Sequence, residues 1–210
     1  MEAKSIPATA VGGDFYDFPS QSGDWLGVAV GDVSGKGVPA ALFMAKLISD
    51  LRFTAQRHGG PAAILRALNA ELASEVRRGM FVTLQYLLLD AASGTIRAAN
   101  GGNVPLLWHH AQTGETELVD LPGGPPLGIV PETEYQEGTL ALSPGDRLVL
   151  LTDGVLEAAD ARGEAFGFDR LAAAVASGSP VATVLDEVLE FSADGARRDD
   201  LTLLQLTWCG

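Results

Sequence analysis

The feature that most constrains this chain is a block of short strand-like segments enclosed by helical ones. "FVTLQYLLLD", "GTIRAAN", "VPLLWHH", "ETELVDL", "YQEGTLAL" and "RLVLLT" follow one another, separated by Gly-rich or Pro-rich turns such as "AASG", "AQTG" and "SPGD". That spacing predicts a meander of antiparallel strands. Ahead of the block, Gly27 to Val33 reads as a buried strand, and Pro39 stands where a first helical turn tolerates proline. Ala41, Met44, Ile48 and Leu51 then recur at spacings of three and four, giving one apolar helical face with Lys46, Asp50 and Arg52 off it. Pro61 opens a second helix, in which Leu65, Leu68, Leu72 and Val76 line one face while Arg66, Glu71 and Glu75 take the other. After the block come helical patterns from Asp169 to Ala176 and from Val181 to Phe191, and a closing strand, "LTLLQLTW".

Helix stripes and sheet faces must each bury their apolar side against another layer, so strands in a block with helices before and after predict an α+β layered fold. With about nine strands, two sheets packed face to face with helices outside is the economical arrangement. No repeat, low-complexity tract or charged linker splits the 210 residues, and 47% hydrophobic content suffices for one sizeable core, so residues 1–210 are expected to form a single domain. A net charge of -13 and a pI near 4.5 argue against nucleic acid, and the pairs Arg77-Arg78 and Arg197-Arg198 are too short to form a basic patch. Cys209 is the only cysteine, so no internal disulfide forms. No apolar run reaches the 18 or so residues of a membrane span, and "MEAKSIPATA" lacks the features of a signal peptide. A cytoplasmic protein with no membrane partner is the expectation.

Four aspartates occupy one kind of position, at or next to a strand end beside residues that permit a tight turn: Asp14 in "VGGDFYDF", Asp32 in "VGDVSGKG", Asp153 in "LLTDGVLE" and Asp199 in "RRDDLTLL". Taken singly, "GGD" and "TDG" are ordinary turn chemistry, and "RRDD" is the kind of charge cluster that solvent surrounds. Asp32 is less easily dismissed, because a polar residue ending an apolar strand and opening a Gly-rich loop is a common place for function. Were the four to converge, like charges at close range would raise one another's pKa unless a cation relieved them. Magnesium or manganese, hard and oxygen-preferring, suits such a site.

Rival constellations are weaker. A Walker A loop needs four residues between its glycine and Gly-Lys, whereas "GDVSGKG" has three, followed by Gly37 instead of Ser or Thr, and Asp32 inside it would face the phosphates. P-loop nucleotide binding is therefore the least favoured alternative. His58, His109 and His110 lack zinc-like spacing, and the adjacent pair reads as surface. Neither Ser34 nor Ser143 has a histidine in a suggestive context. Lys36 is a candidate phosphate contact, with a solvent-facing loop lysine as the equal alternative.

As a set, "VGGDFYDF", "GDVSGKGVPAALFMA", "FVTLQYLLLD", "GGPPLGI", "SPGDRLVLLTDGVLEA", "GEAFGFDRL" and "DDLTLL", in this order, resemble the bacterial branch of the PPM-type metal-dependent serine/threonine protein phosphatases, the SpoIIE/RsbU-like branch. The resemblance runs from about Ile6 to Leu206 and implies a four-layer α-β-β-α sandwich with a binuclear manganese or magnesium centre at one edge. By motif, Asp32 would bridge two Mn2+ or Mg2+ ions, the backbone carbonyl of Val33 and Asp14 would hold one, and Asp153 and Asp199 the other. Asp17 and Asp200 would be neighbours rather than ligands. The implied reaction is hydrolysis of phosphoserine or phosphothreonine by metal-activated water, without a phosphoenzyme. The implied partner is a phosphorylated anti-sigma factor antagonist.

The helices after Gly37 resemble a switch element, and homodimerisation through them is an open alternative. Such domains commonly follow an upstream sensor or receiver domain, and almost nothing precedes "SIPATAVGGD", so a domain cut from a longer regulator, or a stand-alone form, is expected. Two departures stand out. Asn100, Gly101, Gly102 and Asn103 replace the branch's usual Asn-Ala-Gly-His, which puts local packing or substrate contact in question. Ser34 takes the place of the general-acid histidine of animal members, so no general acid is assigned and water protonates the leaving group. A catalytically idle docking domain of the same fold is the rival from another class.

Overall fold

The computed structural model describes residues 1–19, 25–75, 80–192 and 199–210. Val76, the side chain of Glu75, and the pairs Arg77-Arg78 and Arg197-Arg198 lie outside the described residues. In chain order the elements are β1 (Glu2–Ile6), β2 (Phe15–Asp17), β3 (Trp25–Val33), α1 (Val38–Ala55), α2 (Pro61–Glu75), β4 (Val82–Asp90), β5 (Thr95–Gly101), β6 (Leu106–His109), β7 (Thr116–Val119), β8 (Gly123–Gly124), β9 (Gly138–Ala141), β10 (Arg147–Leu151), α3 (Asp153–Glu157), α4 (Gly167–Ala176), α5 (Val181–Phe191) and β11 (Leu201–Thr207).

The strands make two sheets. A five-stranded sheet runs β1-β11-β10-β6-β7, and a six-stranded one runs β2-β3-β4-β5-β8 with β9 also paired to β5. Three apolar clusters define the layers. Val28, Val30, Leu87 and Leu89 of the six-stranded sheet meet Leu148, Leu150, Leu204 and Leu206 of the other between the sheets. Ala29, Val33, Leu84 and Tyr86 turn the opposite way, onto Leu47 and Leu51 of α1 and Leu65 and Leu68 of α2. Val149, Leu151 and Leu203 likewise turn onto α4 and α5 through Leu171, Val175, Leu185 and Val188. The α+β, four-layer α-β-β-α sandwich is therefore the observed architecture. Strands covered on both faces explain why "YLLLD" and "RLVLLT" read as continuous apolar runs rather than alternating ones.

Three details differ from the sequence reading. The strand block is not one meander: β4 and β5 lie in the six-stranded sheet, β6 and β7 cross to the other, β9 returns beside β5, and β10 crosses again. With both faces of each sheet covered, periodicity carries no mark of which sheet a strand joins. Second, β1, β2, β8 and α3 were not read. β1 has no apolar alternation and is placed by its ladder to β11, from Glu2↔Gln205 to Ile6↔Leu201. Third, the buried face of α1 is Ala40, Leu47, Leu51, Thr54 and Ala55, displaced from the predicted one, while Met44 and Ile48 are only partly buried. Apolar residues occur all round this helix, with Val38, Leu42 and Phe53 exposed, so spacing alone did not fix its phase.

Candidate metal centre

Side chains along a strand alternate faces, and this period of two carries the candidate residues to one place. On β3, Val28 and Val30 point into the gap between the sheets, so Asp32, two residues on, shares that direction at the strand's end. On the other sheet, Leu148 and Leu150 precede Thr152 by the same period, and Leu204 and Leu206 follow Asp200 and Thr202. Asp153 opens α3 directly after Thr152, and Asp199 lies just ahead of β11. Asp14 arrives on the loop before β2. Two sheets thus deliver carboxylates to one edge of the gap.

The residues differ in exposure. Asp14 is 8% exposed, Asp32 and Asp153 are half-buried, and Asp199 is exposed. Asp14 accepts a hydrogen bond from Thr152 Oγ1 at 2.6 Å on its Oδ2 and is hydrogen-bonded to the Asp32 side chain. Burial, opposed by the Thr152 hydroxyl and reinforced by the charge of Asp32, pushes the Asp14 carboxyl up to about 8. Burial and then the charges of Asp153, Asp199 and Asp200 push Asp32 up to about 6. Asp153 is raised too, by burial and then by Asp199. The structure therefore brings Asp14, Asp32, Asp153 and Asp199 into one electrostatic field.

Among the described residues, however, no three carboxylate, imidazole or thiolate groups converge as a ready-made cation cage. Two observations bear on whether these residues fit a divalent ion. Every side-chain donor in the group is a carboxylate oxygen, the ligand type that hard cations select. In addition, a Cβ at Gly13 would stand 2.5 Å from the Val33 carbonyl oxygen and 3.0 Å from Asp32 Oδ1. The space in front of those two oxygens exists because position 13 is glycine. By chemical type the oxygens of Asp14, Asp32, Asp153, Asp199 and the Val33 carbonyl fit a divalent ion, and the Val33 and Asp32 oxygens face the space that Gly13 leaves open.

The remaining candidates have defined partners. Asp200 is buried and accepts backbone N–H groups from Ala8 at 2.6 Å, Gly13 at 2.8 Å and Asp14 at 3.4 Å, so it ties down the loop that carries Asp14. Asp17 pairs with Arg52 of α1 through two bonds of 2.9 and 2.7 Å. Ser34 Oγ accepts the Phe81 N–H at 2.7 Å, and its own N–H donates to the Phe81 carbonyl at 2.9 Å, which makes it a loop clamp. Asn103 Nδ2 reaches the carbonyls of Val30 and Leu151, each at 3.4 Å, and so touches both strands that lead to Asp32 and Asp153. Lys36 is exposed, with an interaction of its own, and lines a small cleft with Val11, Gly12, Asp199 and Asp200. The histidine pair is not simply surface: His109 is buried and bonded through Nδ1 to Thr116 Oγ1 at 2.9 Å, while half-buried His110 meets Glu117 at 2.8 Å.

Sequence reasoning missed Thr152 and Thr202. The signal existed for Thr152, a polar residue ending an apolar strand, the same signal that singled out Asp32.

A two-sheet sandwich flanked by helix pairs is the fold of the PP2C phosphatase domains. It is shared with the SiaA-PP2C domain of Pseudomonas aeruginosa, at a TM-score of 0.82 and 23% identity over 98% of this chain and 85% of that one. The family described as Stage II sporulation protein E (SpoIIE) matches residues 22–208, and the chain belongs to it. The phosphoserine phosphatase RsbU of Bacillus subtilis is 30% identical over 156 residues, 74% of this chain and 46% of RsbU. The RsbU and RsbW domains of a Mycobacterium tuberculosis protein match with a TM-score of 0.78 and 28% identity, over 99% of this chain and 60% of that one. RsbX, solved in complex with magnesium, shares the fold at a TM-score of 0.72 and 18% identity, over 97% of this chain and 92% of that one. The chain spans less than half the length of the curated relatives it matches.

Proposed function

We propose that this chain is a metal-dependent protein phosphatase domain that hydrolyses phosphoserine or phosphothreonine on a small regulatory protein of the anti-sigma factor antagonist class. The observation that carries the reading is a group of four aspartates, delivered to one edge by both sheets, in which Asp32 feels the charges of Asp153 and Asp199 and Asp14 that of Asp32, in a chain of the SpoIIE family. In this reading two Mn2+ or Mg2+ ions would be held by Asp32 together with Asp14 and the Val33 carbonyl on one side and Asp153 and Asp199 on the other. RsbU, a relative named a phosphoserine phosphatase, supports the substrate class, and the magnesium complex of RsbX supports the choice of ion.

When bound, a divalent pair supplies positive charge for the phosphoryl oxygens and lowers the pKa of water at the site. The chain's own residues do the rest. Asp32 and Asp153 cluster charge that a bound cation would relieve without protonating them. Gly13 keeps the approach to Asp32 and the Val33 carbonyl open. Lys36, beside Asp199 in the cleft, is a phosphate contact by charge alone. Ser34 is committed to Phe81, so no side chain here is assigned as general acid, and water protonates the leaving alkoxide. The length of the relatives supports a longer regulator with a sensor or receiver domain ahead of this one.

The test is hydrolysis of a generic aryl phosphate and of a phosphoserine protein with manganese. Activity should vanish in Asp32→Ala and in excess chelator; full activity in either would sink the proposal. Ion binding without turnover of any phosphorylated substrate would instead mark an idle docking domain.

A further inference from the structure

Thr152 is fully buried at the end of β10, and its hydroxyl has two partners. The Thr202 N–H donates to Thr152 Oγ1 at 3.2 Å, and the hydroxyl's one proton goes to Asp14 Oδ2 at 2.6 Å. The Thr152 N–H in turn donates to the Thr202 carbonyl at 3.1 Å, so register between β10 and β11 holds the hydroxyl in place. Asp14 belongs to the six-stranded sheet's side and Thr152 to the other, so this bond crosses the gap between the sheets. From the same side Asp200 accepts the Gly13 and Asp14 N–H groups. Backbone and carboxylate of Asp14 are thus both held by the five-stranded sheet.

Resting on the metal-dependent reading above, we infer that Thr152 is a positioning residue, which engages one oxygen of Asp14 and so orients the remainder of the carboxylate for a divalent ion. A carboxylate free to rotate about its side-chain bonds must be ordered when the ion binds, whereas one held by a short buried bond is ordered beforehand. Hydrogen-bond partners of metal ligands act in this way, and removing one weakens metal binding by about 10–100-fold. The Thr202 hydroxyl donates to Ser5 Oγ at 2.8 Å and also acts on Asp14 by hydrogen bonding, more weakly than Thr152 does; beyond Thr202 the chain of hydroxyls leaves the site.

Two substitutions separate orientation from packing. Thr152→Val keeps the shape and removes the hydroxyl; Thr152→Ser keeps the hydroxyl and removes a buried methyl. Manganese chloride is titrated into the full chain by calorimetry, with thermal melts recorded on the same samples and Ser5→Ala as the distal control. Thr152→Val is expected to bind manganese about 10–100-fold more weakly, while Thr152→Ser stays within about threefold of the parent chain even where its melting temperature falls. Ser5→Ala should bind as the parent does. Should Thr152→Val give no cooperative melt, Thr152→Ala takes its place. Parent-like affinity in Thr152→Val, or equal weakening in Thr152→Ser, overturns the inference while leaving the phosphatase reading intact. Absence of manganese binding in the parent chain overturns both.

Discussion

Of Asp14 and Asp32, Asp14 carries the more strongly raised pKa. In the metal-free chain its folded-state pKa of about 8, and that of Asp32 near 6, lie above the ordinary value of 3.8. The folded chain therefore keeps protons that the unfolded chain has released. A raised pKa contributes stability that is fully present below the ordinary value and is lost as pH rises through the folded-state value. With chelator present, the contribution of these two carboxyls to the melting temperature should fall from about pH 4 to about pH 8. Asp14→Asn, which has no proton to lose, should fall less steeply over the same window, and an equally steep fall would contradict the assignment. Sequence alone singled out Asp14, Asp32, Asp153 and Asp199 because strand ends beside glycine are visible in a string of letters. The clamp roles of Asp200 and Thr152 were not visible, because each depends on a bond to a residue more than 130 positions away.

At the scale of elements, helices α1 and α2 show what periodicity does and does not fix. α2 was legible in phase: Leu65, Leu68 and Leu72 are all buried against the sheet, and Pro61 starts the helix. Leu68 is fully buried, so Leu68→Ala should destabilise the chain by about 2–5 kcal/mol, read from urea unfolding. A loss below about 1 kcal/mol would mean that the α2 layer contributes little to the cooperative core. α1 was legible as a helix and misread in phase, because apolar side chains surround it. Its far end is fixed by a polar contact instead, Arg52 to Asp17 on β2, three residues after Asp14. β1 could not be read at all, since the string "EAKSI" has no apolar alternation and its place comes from backbone pairing with β11.

For the whole molecule, the layered α+β architecture followed from counting apolar faces, since every strand run and helix stripe needed a covering layer. Which sheet each strand joins did not follow, and the chain crosses between the sheets several times. The five-stranded sheet takes its first strand from residues 2–6 and its second from residues 201–207. Deleting residues 199–210 would remove the strand that lies between β1 and β10, and such a chain should show no cooperative thermal transition; a sharp transition would show that the six-stranded half folds alone. The order of strands also bears on how the protein is born. β11 is the last of these elements to leave the ribosome, yet β1, the first, has no neighbour in its sheet until β11 arrives. Until residues 199–207 are made, the loop of Asp14 lacks the Asp200 carboxylate that ties it down and Thr152 lacks its Thr202 partner, so this edge of the sandwich is assembled only when β11 arrives.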